Sequence, residues 1–302
     1  MKLADIGFKE LSLRLRRKAG LTLQVGQFKA SIRSTTPKIC KSIYSMYKYS
    51  EIFDDDSADF HVQIKHSTGF RFFFKPYVTF HFNGQSPFAP LPLDQAYPLL
   101  EWGLNWCVSK HCHQYLLIHA AVLEKNGQTI ILPGTPGSGK STLCAAMVCK
   151  GQWRLLSDEL TMYDYKSGTI VPNPRPVSLK NDSIKIIKNY SPESVFSEVV
   201  SDTIKGSVAH MRPSLDSMNK ANVTVKPTAI IFPKYNPEVE SEFHQLTKGS
   251  TFLELANHSF NYSILGTEGF KAVGTLLDQT KHYSFEYNGN LENALNVMDS
   301  IF

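Results

Sequence analysis

Apolar and polar positions alternate from Leu21 to Ser34, and Phe60–Lys65 and Phe70–Phe82 are dense in aromatic and β-branched residues. These stretches predict strands, the last two paired. Ahead of them, residues 5–19 mix Ile6, Phe8, Leu11, Leu13 and Leu15 with basic residues, which predicts a helix whose Arg14–Lys18 cluster forms a solvated face. Ile43–Tyr49 predicts a short helix and Asp54–Asp59 an acidic turn. Asn83–Pro92 carries Gly84, Pro87, Pro90 and Pro92, a density of breakers that predicts a linker. Asp94–Ser109 then predicts a helix with Leu99, Leu100, Leu104 and Cys107 on one side. A boundary near residue 88 follows, with a small β-rich module over 1–88 and a second module over 89–302.

The second module opens with a hairpin. His119 begins one arm, Asn126-Gly127 supplies a type I′ turn, and Thr129–Leu132 is the apolar core of the returning arm. Thr142–Lys150 predicts a helix with Gly151 as its cap, and Trp153–Leu156 a short apolar strand. In a right-handed βαβ unit that strand is expected to lie directly beside Thr129–Leu132. Further on, Thr228–Phe232 and Phe243–Leu246 predict strands, and Ser250–Ala256 and Leu291–Ile301 helices. The fold class is α/β, with a mixed sheet flanked by helices.

With 302 residues, 42% of them hydrophobic and 20% charged, the chain has the composition of a folded globular protein. A net charge of +5, spread along the chain, does not argue for nucleic acid, but suits a ligand bearing phosphates. Residues 1–20 lack the apolar core of a secretory signal, and no apolar run is long enough to span a bilayer. The five cysteines form no disulfide framework, so a reducing cytoplasm is the expected location. Cys107, His111, Cys112 and His113 fit no zinc spacing.

Between the hairpin and the helix stands Gly134-Thr135-Pro136-Gly137-Ser138-Gly139-Lys140-Ser141, followed by Thr142. It fits the phosphate-binding pattern G-x-x-x-x-G-K-[ST]. Glycines let the backbone turn its N–H groups toward an anion, and the following helix adds its positive end. Lys140 then reaches the β- and γ-phosphates, and the Ser141 hydroxyl ligates Mg²⁺. Asp158 and Glu159 follow 17 and 18 positions past Ser141, at the end of the next expected strand. Beside a phosphate loop, one carboxylate can hold Mg²⁺ and the other can take the proton of an attacking hydroxyl. Arg175, Lys180 and Arg212 are loop cations within the same half of the chain, and either arginine could reach the γ-phosphate.

His119-Ala120, Gly139-Lys140-Ser141 and Arg154-Leu-Leu-Ser-Asp158-Glu159 resemble the catalytic domain of bacterial HPr kinase/phosphorylase. Closer still is the likeness to the HprK-related kinase A family. It is carried by Pro87-Phe-Ala-Pro-Leu-Pro92, Glu101-Trp-Gly-Leu-Asn-Trp-Cys107, Ser157-Asp-Glu-Leu160, Pro174–Asn181 and Ala209-His-Met-Arg-Pro213. The resemblance implies the P-loop fold shared with phosphoenolpyruvate carboxykinase. It also implies transfer of the γ-phosphoryl group of ATP to a hydroxyl, most simply a serine, of a protein or peptide. On it, Asp158 corresponds to the general base, His119 to the active-site histidine, Ser141 to the Mg²⁺-binding serine and Glu159 to the second aspartate of the acid pair. The mechanism expected from these residues has Ser141 and Glu159 hold Mg²⁺ and Arg212 steady the transferred charge. Two departures stand out: Glu159 replaces an aspartate, and Ala120 replaces the glycine of a His-Gly pair. The implied partner is a small acceptor protein of the same modification system, and, since HPr kinases are hexamers, the implied state is a homo-oligomer. The other classes compatible with these residues are a small-molecule kinase and a nucleotide-binding regulatory protein without transfer.

Overall fold

The computed structural model describes residues 1–54, 57–67 and 74–300. Two six-stranded sheets and two three-stranded sheets carry helices on their faces, so the architecture is mixed α and β with mixed sheets. Parts of the expected acidic turn and of the expected strand Phe70–Phe82, and the last residue of the expected helix Leu291–Ile301, lie outside the described residues.

The first sheet has the spatial order Ile52–Phe53, Leu21–Val25, Phe28–Ser34, Phe60–His66, Tyr77–Phe82 and Leu91–Pro92. The alternation across Leu21–Ser34 is two antiparallel strands rather than one, because Gly26, at φ 61°, reverses the chain between them. The short helix starts earlier than its apolar spacing indicates and covers Pro37–Met46, with Pro37 in the first turn where its missing N–H is harmless. The first core does not stop at residue 88. Leu99, Leu100, Leu104 and Cys107 of the helix Ala96–His111 belong to it, together with Phe80 and Ile39. Gly103 lies against the Phe80 ring, where a Cβ would come within 2.0 Å.

The central sheet runs Arg154–Ser157, Ala120–Lys125, Gln128–Pro133, Ala229–Tyr235, Lys281–Tyr287 and Glu242–Gln245 in space. Asn126 and Gly127 have φ 52° and 80°, the two positive values that a type I′ turn needs. Its apolar strands are buried on both faces. Ala121, Leu123, Ile130 and Leu132 point to one core, shared with the helix Lys140–Cys149 and the closing helix Leu291–Ser300. Ala120, Val122 and Ile131 point to the other, against Leu255, Val273 and Leu276 of the helices Lys248–Asn257 and Thr267–Gln279.

The strand after the loop helix is not the neighbour of the loop strand. Arg154–Ser157 pairs antiparallel with Ala120–Lys125, so the first hairpin arm stands between it and Gln128–Pro133. The hairpin already fills that side of the loop strand, whose other side pairs in parallel with Ala229–Tyr235. The crossover therefore spans one extra strand. The consequence is geometric: the antiparallel arm begins where its neighbours end, and its first residues share an edge with the phosphate loop and the acid pair. Gly151 is not the left-handed cap either. Gln152 takes the positive φ, at 58°, while Lys150 closes the helix.

Candidate active site

The loop between the strand Gln128–Pro133 and the helix Lys140–Cys149 is held from outside. Tyr235 N–H donates to the Ser138 carbonyl at 3.0 Å, and the Tyr287 hydroxyl donates to the Gly139 carbonyl at 2.9 Å. Both tyrosines come from the central sheet, so the sheet fixes the loop carbonyls while the first-turn N–H groups of the helix stay free to receive an anion. Gly139 has φ 81°, and a Cβ there would lie 2.1 Å from the Tyr287 hydroxyl. No side chain fits, so the backbone requires glycine on two counts.

Lys140 is 6% exposed, and its ammonium sits 3.2 Å from His119 Nε2. His119 Nδ1 is 3.1 Å from the carbonyl of Glu159. A carbonyl only accepts, so Nδ1 carries the hydrogen and Nε2 offers its lone pair to the ammonium. Burial, then the Lys140 charge, push the His119 pKa down to about 4, which keeps the ring neutral. Burial also lowers the Lys140 pKa, against the pull of Asp158 and Glu159.

Asp158 and Glu159 occupy a tight turn between Arg154–Ser157 and Thr161–Asp164. Leu160 N–H donates to the Asp158 carbonyl at 2.8 Å, and Glu159, at φ 67°, takes the left-handed conformation at the centre of this γ-turn. That turn is rare and strained for a residue with a side chain. It is also what aims the Glu159 carbonyl at His119.

The two carboxylates differ in their surroundings. Asp158 Oδ2 accepts the N–H of Ser178 at 2.8 Å. Its Oδ1 is buried and has no partner among the described residues. Burial, reinforced by Glu159, raises the Asp158 pKa against the opposing charge of Lys140. Burial would raise Glu159 as well, but Lys180, Lys205 and Lys140 outweigh it and hold that carboxyl down. Lys180 Nζ meets Glu159 Oε1 at 2.9 Å, and Asn105 Nδ2 donates to Oε2 at 3.3 Å. Lys205 sits in the turn between Val200–Thr203 and Gly206–Met211, with its ammonium 5.1 Å over the Trp102 ring.

Lys140, His119, Asp158 and Glu159 thus share one edge of the central sheet, and Ser141 and Thr142 are the next two residues of the loop helix. Arg212 is not brought into this group. Its guanidinium lies 4.9 Å over the Tyr49 ring and donates to the Ser45 carbonyl at 3.2 Å, facing the N-terminal module. Arg175 is buried and paired with Glu101, so it too is spoken for. Asn105, Ser178, Lys205 and Tyr287 were not singled out by sequence reasoning. Asn105 carried a usable signal: it stands four positions past Glu101, a second polar residue on the same face of an otherwise buried helix. Tyr287 arrives from a distant strand and Lys205 from a distant turn, and neither carries such a signal.

No group of three or more His, Cys, Asp or Glu able to hold a metal ion occurs among the described residues. The oxygens present suit a different arrangement. A serine hydroxyl at a helix start, a carboxylate and the buried, unpartnered Asp158 Oδ1 are hard donors of the kind that hold Mg²⁺ jointly with phosphates. Cys107 and Cys112 are buried free thiols, and the His111 ring packs on Phe82 at 5.0 Å. No helix among the described residues is long and apolar enough to cross a membrane. The chain matches no protein-family model, and no curated protein matches it.

Proposed function

We propose that the protein is a kinase of the HPr kinase-like fold, which binds ATP with Mg²⁺ at Gly134–Thr142 and transfers the γ-phosphoryl group to a hydroxyl of a protein or peptide. The observation that carries this reading is the convergence of a loop lysine, a neutral histidine and two unlike carboxylates at one sheet edge, with Lys140 3.2 Å from His119.

On this reading the loop N–H groups receive the phosphates, and Lys140 leaves His119 for the β- and γ-phosphate oxygens. Ser141 and Glu159 would hold Mg²⁺, which would supply positive charge to offset that of the phosphates. The acceptor oxygen attacks the γ-phosphorus as its proton passes to Asp158. The bond from that phosphorus to the β–γ bridging oxygen breaks, and its electron pair leaves with ADP. The raised pKa of Asp158 suits a base better than an ordinary surface carboxylate. His119, neutral and fixed through Nδ1, keeps the acid turn in register with the loop. The excess of ammonium groups around the pair, Lys140, Lys180 and Lys205 against Asp158 and Glu159, favours a ligand with further negative charge.

The test is radiolabel transfer from γ-labelled ATP to peptides and small proteins, with products identified by mass spectrometry. Label appears on an acceptor hydroxyl if the reading holds. ATP uptake with no transfer to any acceptor would make the protein a nucleotide-binding regulator instead.

A further inference from the structure

A chain of buried polar contacts runs from the N-terminal module to the acid turn. Tyr47, 2% exposed at the end of the helix Pro37–Met46, donates its hydroxyl to Glu101 Oε1 at 2.8 Å. Glu101 lies on the helix Ala96–His111 and is 3% exposed. Its other oxygen and its carbonyl both accept from Arg175 Nη2. Arg175 is 5% exposed and stands between Pro174 and Pro176, where the chain has little freedom. Its Nη1 donates to Asn105 Oδ1, one helical turn beyond Glu101. Asn105 Nδ2 then donates to Glu159 Oε2.

The order of donors along this chain leaves no freedom. A guanidinium has no acceptor, so Arg175 forces the oxygen of the Asn105 amide to face it. The NH₂ end must therefore face Glu159. Glu101 compensates the buried charge of Arg175, and Tyr47 satisfies the remaining oxygen of Glu101. The Glu159 carboxylate is thus held at both oxygens, by the partly exposed Lys180 ammonium on Oε1 and by the Asn105 relay on Oε2, and only the second of these is fixed in direction.

We infer that Tyr47, Glu101, Arg175 and Asn105 are positioning residues that orient the Glu159 carboxylate for Mg²⁺–nucleotide binding, and that the N-terminal module acts on the site through them. This rests on the reading of Glu159 as a metal-holding carboxylate. Partners that orient a metal-holding group typically change metal affinity by roughly 10- to 100-fold when removed.

The experiment is calorimetric titration of a non-hydrolysable ATP analogue into the full-length protein over a series of Mg²⁺ concentrations, with thermal midpoints recorded alongside. Asn105→Leu is expected to raise the half-saturating Mg²⁺ concentration roughly tenfold or more. Metal-free affinity for the analogue, set by the loop, stays at the wild-type value. Asn105→Gln, which keeps the amide, recovers part of the shift, and Asn105→Asp, which turns a second carboxylate toward Glu159, recovers none. Should Asn105→Leu fail to fold, Tyr47→Phe removes only the far hydroxyl and is expected to shift the same Mg²⁺ dependence by a smaller factor. A folded variant with an unshifted Mg²⁺ dependence would overturn the positioning role and leave the kinase reading standing. Wild-type protein that takes up no Mg²⁺–nucleotide at all removes both.

Discussion

His119 joins the Glu159 carbonyl to the Lys140 ammonium, and a proton added at Nε2 would break the second contact and set two cations face to face. Its ordinary pKa of 6.5 falls to about 4 in the folded chain. The unfolded chain therefore binds a proton that the folded one refuses between those values. Stability from this residue is complete above pH 6.5 and is lost as pH falls toward 4. His119→Gln is expected to flatten the thermal midpoint over that interval, which scanning calorimetry at several pH values reads directly. Asp158 shifts in the opposite direction. If Asp158 is the proposed base, its ionised form is the active one, and transfer should fall with acid at a pH above the ordinary carboxylate range. Asp158→Asn should abolish transfer while nucleotide uptake survives, and Lys140→Ala should abolish both. Unchanged turnover in Asp158→Asn would refute its assignment as base.

At the scale of elements, what was legible was local. The type I′ turn at Asn126-Gly127, the strand–loop–helix succession around Lys140 and the glycines that turn positive within it all follow from adjacent residues. Strand order did not follow. Nothing between Thr142 and Leu156 says that the returning strand passes over the hairpin arm, because pairing depends on which sheet edge is already filled. The grip on the loop was equally invisible, since Tyr235 and Tyr287 reach it from strands about a hundred residues or more downstream. Tyr287→Phe deletes one hydrogen bond, worth about 1 kcal/mol, and is expected to weaken nucleotide binding several-fold with little change in fold. Gly139→Ala is a harsher change, because it adds a clash with Tyr287 to a disfavoured φ. Its nucleotide titration should be flat.

At the scale of the whole molecule, composition and the period-two stretches made the mixed α and β class legible, but the sharing of cores was not. The breaker-rich segment at 83–92 marks a real irregularity in the chain, yet the helix beyond it packs on the sheet before it. Proline and glycine report local chain direction; which face a helix buries is settled by its apolar partners. Gly103→Ala would press a methyl group into the Phe80 ring, and overpacking of this kind costs about 1–3 kcal/mol. A lower thermal midpoint, with one transition rather than two, is the expected calorimetric result. A fragment covering 89–302 would leave Leu99, Leu100 and Leu104 without the sheet they cover, and should lack a cooperative melt.

Glu159 sets the chain's durability against its chemistry. A left-handed backbone suits a residue without a side chain, and relieving it gains about 1–2 kcal/mol. Against that gain stands the loss of a carboxylate that, despite its burial, Lys180, Lys205 and Lys140 hold below its ordinary range, a contribution to stability that is present at neutral pH. Glu159→Gly should therefore leave the thermal midpoint close to that of the wild type, read by scanning calorimetry at neutral pH, while the Mg²⁺ uptake proposed for this carboxylate is lost.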